Sequence, residues 1–377
     1  MKSHSIKGLA AVALMASLLV LHHILSIVDI GPVSAFFIVK NVAISDINFD
    51  YIGPIPPSVH AISTKILVMY SGPTGLDNNT DNVRYIENLL FFMNHGLPCS
   101  YHGDQPDTYM RVDVVVVVGK RVSEAHSLGD YNTACGGIKV MVRTNNCLDM
   151  NTYDVALRAV DVSKYDFFMS LNCGLIGPLF QLDIDSIKAS PYWVIKFISL
   201  INFKVKLVGM SLNGYDAPAH VQSMLWATDA IGMRIILRSG SIFDCTKHTL
   251  CRSAFVDPIT QVFHQVSLAC RSMIINSYEI GMSRVLVNAG FFLTGMHPSQ
   301  HGVVVTKDYP MEPLDYLDDI WYDDKMRYFN GGRYLNATDT VFWKRSRLYP
   351  SSVRMHVEAQ DNLLRNHVVN TFFLKTG

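Results

Sequence analysis

Glu279 is the residue of this chain whose type and place most invite chemistry. In YEIGMSRVLVNAG, residues 278–290, Met282, Val285, Leu286 and Ala289 repeat at the i, i+3, i+4, i+7 spacing of an amphipathic helix, and Glu279 stands one turn before Met282. A carboxylate at the margin of a face that the fold desolvates has two uses. It can complete a helix start, since Asn276 followed three residues later by Glu279 has the spacing of an N-cap with a Glu at N3, and a negative charge suits the first turn. It can also take a proton in a reaction. The seven cysteines, at 99, 135, 147, 173, 245, 251 and 270, form no CxxC pair and no Cys/His zinc spacing. In an oxidising compartment some of them pair, and an odd count leaves at least one free or bonded to another chain.

The elements that must position these residues alternate. KILVMYSG reads as a strand, VRYIENLLFFMNHGL as a helix closed by Gly96, and VDVVVVVG and IKVMVRTN as strands buried on two faces. YDVALRAVDV reads as a helix and YDFFMSLNCG as a further strand. This rhythm predicts an α/β fold with a doubly wound sheet, in which ligands lie beyond the carboxyl ends of the strands. That rule nominates Tyr70 with Ser71, Arg143 to Asn146, and Asn172 with Cys173 as neighbours across one crevice. Downstream, WVIKFISLI and AHVQSMLWATDAIGMRIIL read as helices with the strand-like VKLVGMSLNG between them. The run LDYLDDIWYDD, 314–324, is acidic with interleaved aromatics and reads as a solvated face or loop.

With 377 residues, 49% of them hydrophobic, the chain can bury a sizeable core, and 32 basic against 32 acidic residues leave no electrostatic footprint for nucleic acid. Gly8 to Val28 is a 21-residue run without a formal charge, long enough to span a bilayer core. Lys2 and Lys7 precede it and Asp29 follows, so the expectation is a cytoplasmic N-terminus (1–7), a transmembrane signal anchor (8–28) and a stalk (29–60) ending in GPIPPS. A cleaved secretory signal is the alternative, with Val33-Ser34-Ala35 offering small residues at a cleavage site. Two sequons, at Asn78 and Asn336, permit N-glycosylation of a lumenal domain.

Read together, TNNCLDMNTYDVALRAVDVSKYDFFMSLNCG, residues 144–174, resembles the stretch of inverting GT-A glycosyltransferases in which an N-x-G-x-x-x-A-x-N segment and helix lead to a strand ending in L-D-x-D. It is more similar to rhamnan-synthesis-type transferases, whose pattern it matches at Asn145 or Asn146, Asp149, Tyr165, Phe168, Asn172, Gly177 and Pro178. The likeness extends from about Lys65 to Pro350, and the order of its pieces carries it.

That resemblance implies a single GT-A (Rossmann-like) domain with a nucleotide-sugar-binding half (61–178) and an acceptor-binding, catalytic half (179–377). Together with the expected signal anchor it points to a type II membrane glycosyltransferase of the Golgi or another secretory membrane. Such an enzyme moves a sugar from a nucleotide-sugar donor to a glycan or glycoprotein with inversion. Family 2 transferases place the catalytic carboxylate eleven residues before a helix-ending Gly; Glu279 and Gly290 have that separation, which makes Glu279 the implied general base. Tyr70, Ser71, Arg143, Asn146, Asp149 and Asn172 are then the implied donor contacts, with Asp229 and Arg284 on the acceptor side. Where the family holds its metal with D-x-D, this chain has Asn172-Cys173-Gly174. Asp183-Ile184-Asp185 and His297 are left as candidate ligands for Mn or Mg. Without a metal, guanidinium groups such as Arg143 or Arg284 would have to neutralise the leaving diphosphate.

Two other classes stand beside this reading. A carbohydrate-binding or scaffolding protein that kept the fold and lost the chemistry accounts for the missing D-x-D. A Rossmann-type oxidoreductase is disfavoured, since SGPTGLDN, not G-x-G-x-x-G, follows the first strand.

Overall fold

The structure, a computed structural model, describes residues 64–74, 80–97, 110–130, 137–143, 148–182, 193–214, 218–239, 251, 267–300, 302–308, 337–338, 340–345 and 351–376. The chain divides into two units, 1–59, which lies outside the described residues, and 60–377, which is compact. The expected anchor and stalk, the sequons at Asn78 and Asn336, the acidic run 314–324, and Asn146, Asp183 and Asp185 all lie outside the described residues. Among the described residues no helix is long and apolar enough to cross a membrane.

The second unit is mixed α/β. Strands β1 (Thr64–Ser71), β2 (Met110–Val118), β3 (Ile138–Val142) and β4 (Phe167–Asn172) are joined through helices α1 (Thr80–His95), α2 (Lys120–Ala125) and α3 (Leu148–Arg158). A two-residue strand β5 (Leu175–Ile176), a single helical turn α4 (Ile195–Ile198), and strands β6 (Val205–Gly209), β7 (Leu212–Asn213), β8 (His220–Val221) and β9 (Leu225–Asp229) follow. Then come α5 (Ala230–Arg238), α6 (Leu268–Ile274), α7 (Ile280–Asn288), β10 (Phe292–Gly295), β11 (Val304–Val305), β12 (Trp343–Lys344) and α8 (Ser351–Thr376). One eight-stranded sheet, in the order β11-β10-β6-β9-β4-β1-β2-β3, runs through both expected halves. Its pairs are parallel except those made by β9 and β11, so the carboxyl ends of β1, β2, β3, β4, β6 and β10 share one edge.

The valine run explains the centre: Val114 to Val118 are all buried, as a strand covered on both faces requires. IKVMVRTN departs from that expectation. β3 closes the sheet, only Ile138 of it is buried and Val142 is 43% exposed, because an edge strand has one covered neighbour and one open side.

AHVQSMLWATDAIGMRIIL is not one helix. His220–Val221 and Leu225–Asp229 are strands, and the helix starts only at Ala230. The apolar run Leu225 to Ala227 is buried because β9 is inserted between β4 and β6, and such a run carries no periodicity that separates strand from helix. WVIKFISLI likewise shrinks to the four residues of α4.

The helix around Glu279 begins earlier than its N-cap spacing predicts. Ser267 caps α6 by accepting from the Cys270 N–H, and the chain runs on through a π turn, Ile275–Glu279, into α7. Cys270, Ile274, Tyr278, Met282 and Leu286, four residues apart, are all buried. In a straight α-helix a four-residue step advances by about 40°, so five such positions would wind off one face; a wider π turn takes the drift back. Gly290, at φ +87°, ends the helix in the left-handed conformation that glycine adopts without strain.

Candidate functional site

The polar residues at the carboxyl edge meet because register brings them there. Ser71 at the end of β1 is the Cα partner of Asn172 at the end of β4, and the Cys173 N–H donates to the Ser71 carbonyl at 2.8 Å. Asp149 enters from the first turn of α3. Its Oδ1 accepts from Ser71 Oγ at 3.2 Å and its Oδ2 from Asn172 Nδ2 at 2.5 Å. Asn172 is oriented in turn, since its Oδ1 accepts from the Gly174 N–H at 3.0 Å. On the other side of the loop, Asn88 of α1 donates to the Cys173 carbonyl at 2.8 Å, and Arg345, just after β12, donates to Asn88 Oδ1 at 3.2 Å.

Arg143 sits behind this cluster. It is 7% exposed, and its guanidinium donates to the Leu148 carbonyl at 2.7 Å, Thr152 Oγ1 at 2.8 Å and the Gly72 carbonyl at 3.3 Å. These bonds tie the end of β1 to the start of α3, where Leu148 is held at φ +50°. Gly72 lets the chain pass this close, as a Cβ there would clash with the Val118 side chain. Burial lowers the Arg143 pKa, against the raising influence of Asp149. Arg143 is therefore part of the frame of the site.

Asn172 also leads to Glu279. Its N–H donates to the Met224 carbonyl at 3.0 Å, and the preceding residue, Ser223, gives both of its donors to Glu279: N–H to Oε1 and Oγ to Oε2, each at 3.0 Å. Ser283, one turn after Glu279, accepts from the Val221 N–H at 3.0 Å, so one helix face satisfies alternate N–H groups of the β8–β9 connection. His220 places Nε2 3.9 Å from Glu279 Oε1, with Nδ1 2.9 Å from the Pro218 carbonyl. Glu279 makes no cap bond. The helix-start expectation for it is corrected: the true start lies at Ser267, and the carboxylate turns out of the π turn toward Ser223.

Asp149, Asn172, Ser223 and Glu279 are each half-buried, while Ser71, Thr152 and Arg143 are closed off behind them. Dense protein around Asp149 pushes its carboxyl pKa up; the Asn172 bond, the Arg143 charge and the Ser71 bond oppose that, and the charge of Glu279 adds to it. Glu279 thus lies within electrostatic reach of Asp149. Tyr153, one turn after Asp149 on α3, feels both carboxylates, although burial is the first cause of its raised pKa. Burial also pushes up the thiol of Cys173, the free cysteine of the site.

The remaining expected residues fall elsewhere. Tyr70 alternates to the opposite face from Ser71, is 1% exposed and stacks on Phe92 with centroids 4.4 Å apart, which makes it core on the α1 side. Asp229 does not approach the site. It ends β9 opposite Phe167, at the other end of β4 from Asn172, and there it caps α5 through the Gly232 N–H and pairs with Lys206 at 2.5 Å. The antiparallel course of β9 carries it away. Arg284 is exposed on α7. His297, just past β10, shares the carboxyl edge but is 1% exposed, and burial lowers its pKa to about 4.

Among the described residues no three His, Cys, Asp or Glu side chains converge to hold a metal. At the strand end itself, Asn172 is spent on Gly174 and Asp149, and the Cys173 thiol is buried. These side chains do not fit a divalent cation beside a diphosphate.

Sequence reasoning passed over Ser223, Ser283, His220 and Thr152. Thr152 had a signal, since Asp149, Thr152 and Tyr153 share one face of a helix at i, i+3 and i+4. Ser223 had none once its segment was read as helix.

Neither a protein-family model nor a curated protein matches the chain. Among solved structures it is similar to 4-diphosphocytidyl-2C-methyl-D-erythritol synthase from Anaerococcus prevotii, at 12% identity and a TM-score of 0.28, over 57% of this chain and 83% of that one. A cytidylyltransferase from Leptospira borgpetersenii matches at 12% identity and a TM-score of 0.26, over 47% of this chain and 64% of that one. The TarS 1–349 structure from S. aureus in complex with UDP matches at 15% identity and a TM-score of 0.28, over 48% of this chain and 50% of that one. The chain therefore spans less than two thirds of the last two proteins. At such scores the likeness carries no functional weight, and the arrangement of the chain's own residues has to speak for it.

Proposed function

We propose that this chain is a nucleotide-sugar-dependent glycosyltransferase with a GT-A-type domain, in which Glu279 deprotonates the acceptor hydroxyl and the sugar is transferred with inversion. One observation carries the reading: at the carboxyl edge of a mostly parallel sheet, a half-buried carboxylate is held through both oxygens by Ser223, whose neighbour Met224 accepts the N–H of Asn172 in the Asp149–Ser71–Asn172 cluster. A hydroxyl attacking an anomeric carbon must lose its proton as the bond forms, and a fixed carboxylate is suited to accept it. Asp149 and Asn172 would border the donor, with the buried Ser71 and Arg143 holding them in place behind. Inversion and the sugar transfer itself rest on the sequence resemblance.

The Cys251–Cys270 disulfide suits an oxidising compartment, which supports a lumenal domain behind a signal anchor in a Golgi or other secretory membrane. A second reading, a glycan-binding protein without turnover, is favoured by the residues at the D-x-D position, which do not fit a metal.

Both are tested on the full chain with a panel of UDP-, GDP- and dTDP-sugars, with and without Mn, measuring donor hydrolysis and transfer. Turnover of one donor that falls by roughly 10²- to 10⁴-fold in Glu279→Gln, with nucleotide binding kept, is the expected result. Glycan binding by folded protein, with neither nucleotide binding nor turnover, selects the second reading.

A further inference from the structure

We infer that Ser223 is the positioning residue of Glu279, an inference that rests on Glu279 being the general base. The helix backbone alone does not aim this carboxylate, because a half-buried Glu has rotatable side-chain bonds and an open side toward which they can turn it. Ser223 removes that freedom. Its N–H and Oγ bind the two oxygens separately, each at 3.0 Å, and two bonds to one planar group fix the plane as well as the position. One bond alone would leave the carboxylate free to swivel about it.

Ser223 is itself held from both sides. Tyr153 donates its hydroxyl to the Ser223 carbonyl at 3.5 Å, and the adjacent Met224 carbonyl accepts from the N–H of Asn172. The clamp therefore joins the base to the strand end that carries Asn172 and to the helix that carries Asp149. A shift of either would be felt at Glu279 through rigid backbone. Each oxygen keeps a second lone-pair direction for the acceptor's proton, so the clamp orients the base without occupying it.

The test compares Ser223→Ala, which keeps the N–H and removes the Oγ, with Ser223→Thr, which restores the hydroxyl. In the full chain, carbodiimide labelling of Glu279 with glycine ethyl ester, read by mass spectrometry, needs no substrate. Labelling is expected to quicken severalfold in Ser223→Ala and to stay at the wild-type rate in Ser223→Thr; an unchanged rate in Ser223→Ala overturns the clamp. With the nucleotide sugar that the wild type turns over, Ser223→Ala is expected to lower kcat about tenfold at unchanged KM, the loss of one bond to a charged group. Ser223→Thr recovers most of it, and adding Ser223→Ala to Glu279→Gln lowers kcat no further. If Glu279→Gln is inactive while Ser223→Ala keeps full kcat, this inference alone fails. If Glu279→Gln keeps full kcat, the general-base reading fails first and takes the catalytic role of Ser223 with it.

Discussion

Asp149 is a carboxylate that the fold tolerates at a cost. Its pKa is raised, chiefly by desolvation, so the folded state binds its proton more tightly than the unfolded chain does. The contribution of this group to stability is then fully present below the unfolded carboxylate value of about 3.9 and is lost as pH rises through the folded value. Ionisation of this group in the folded protein therefore opposes folding. Asp149→Asn keeps the shape, and an amide there can accept from Asn172 and donate to Ser71, whose hydroxyl then turns to Thr152. The variant is expected to melt roughly 2–4 °C higher at pH 7, to lose that gain near pH 4, and to bind nucleotide about tenfold more weakly. Thermal melts at the two pH values with calorimetric titration check all three. The residue types at this site were legible, because the strand-end rule pointed to Ser71 and Asn172 and both are there. Tyr70 was misplaced for the reason Ser71 was not: neighbouring strand residues face opposite ways, and only one of the two faces holds α3.

The element that presents Glu279 is α6, the π turn and α7 taken as one rod. Of the stripe read in the sequence, Met282 and Leu286 are buried, Val285 is half-buried and Ala289 is exposed, and the helix start was placed at Asn276 because a capping spacing and a mid-helix Asn and Glu look alike without neighbours. The rod is tied down near its start by the Cys251–Cys270 disulfide, with a sequence separation of 19. Closing a loop of that length is worth about 3 kcal/mol in the chain-entropy account. Replacing both cysteines with serine is therefore expected to lower the melting temperature by several degrees. Adding reductant to the wild type should reproduce the loss, while a variant that melts like the wild type would remove the disulfide from the list of what holds the rod. The pairing itself was beyond the sequence, since seven cysteines allow many partners and spacing does not choose among them.

For the molecule as a whole, the buried His297 sets an acid limit. Its pKa is depressed from an ordinary value of about 6.5 to about 4, so its contribution favours folding above the unfolded value and is lost as pH falls toward the folded one. Between those values the fold should lose at most about 1.4 kcal/mol per pH unit through this group. His297→Gln is expected to flatten the stability curve in that window, as measured by denaturant titration at several pH values; an unchanged slope assigns the acid sensitivity to other groups.

The sequence by itself determined the alternation of strands and helices through the sheet's first half, the buried centre of that sheet and the edge at which polar residues collect. Those follow from local pattern: a five-valine run suits a strand covered on both faces, and Gly-containing turns close the strands before the helices that follow. Only the tertiary structure decided that β9 runs backward between β4 and β6. That single insertion turned an expected helix into strands, carried Asp229 to the far edge and delivered Ser223 to Glu279. The physical reason is that an apolar run fits a strand or a helix equally well until its neighbours supply either unpaired backbone groups or an apolar groove. Here β4 and β6, both earlier in the chain than β9, supplied the unpaired backbone, and that pairing made the choice.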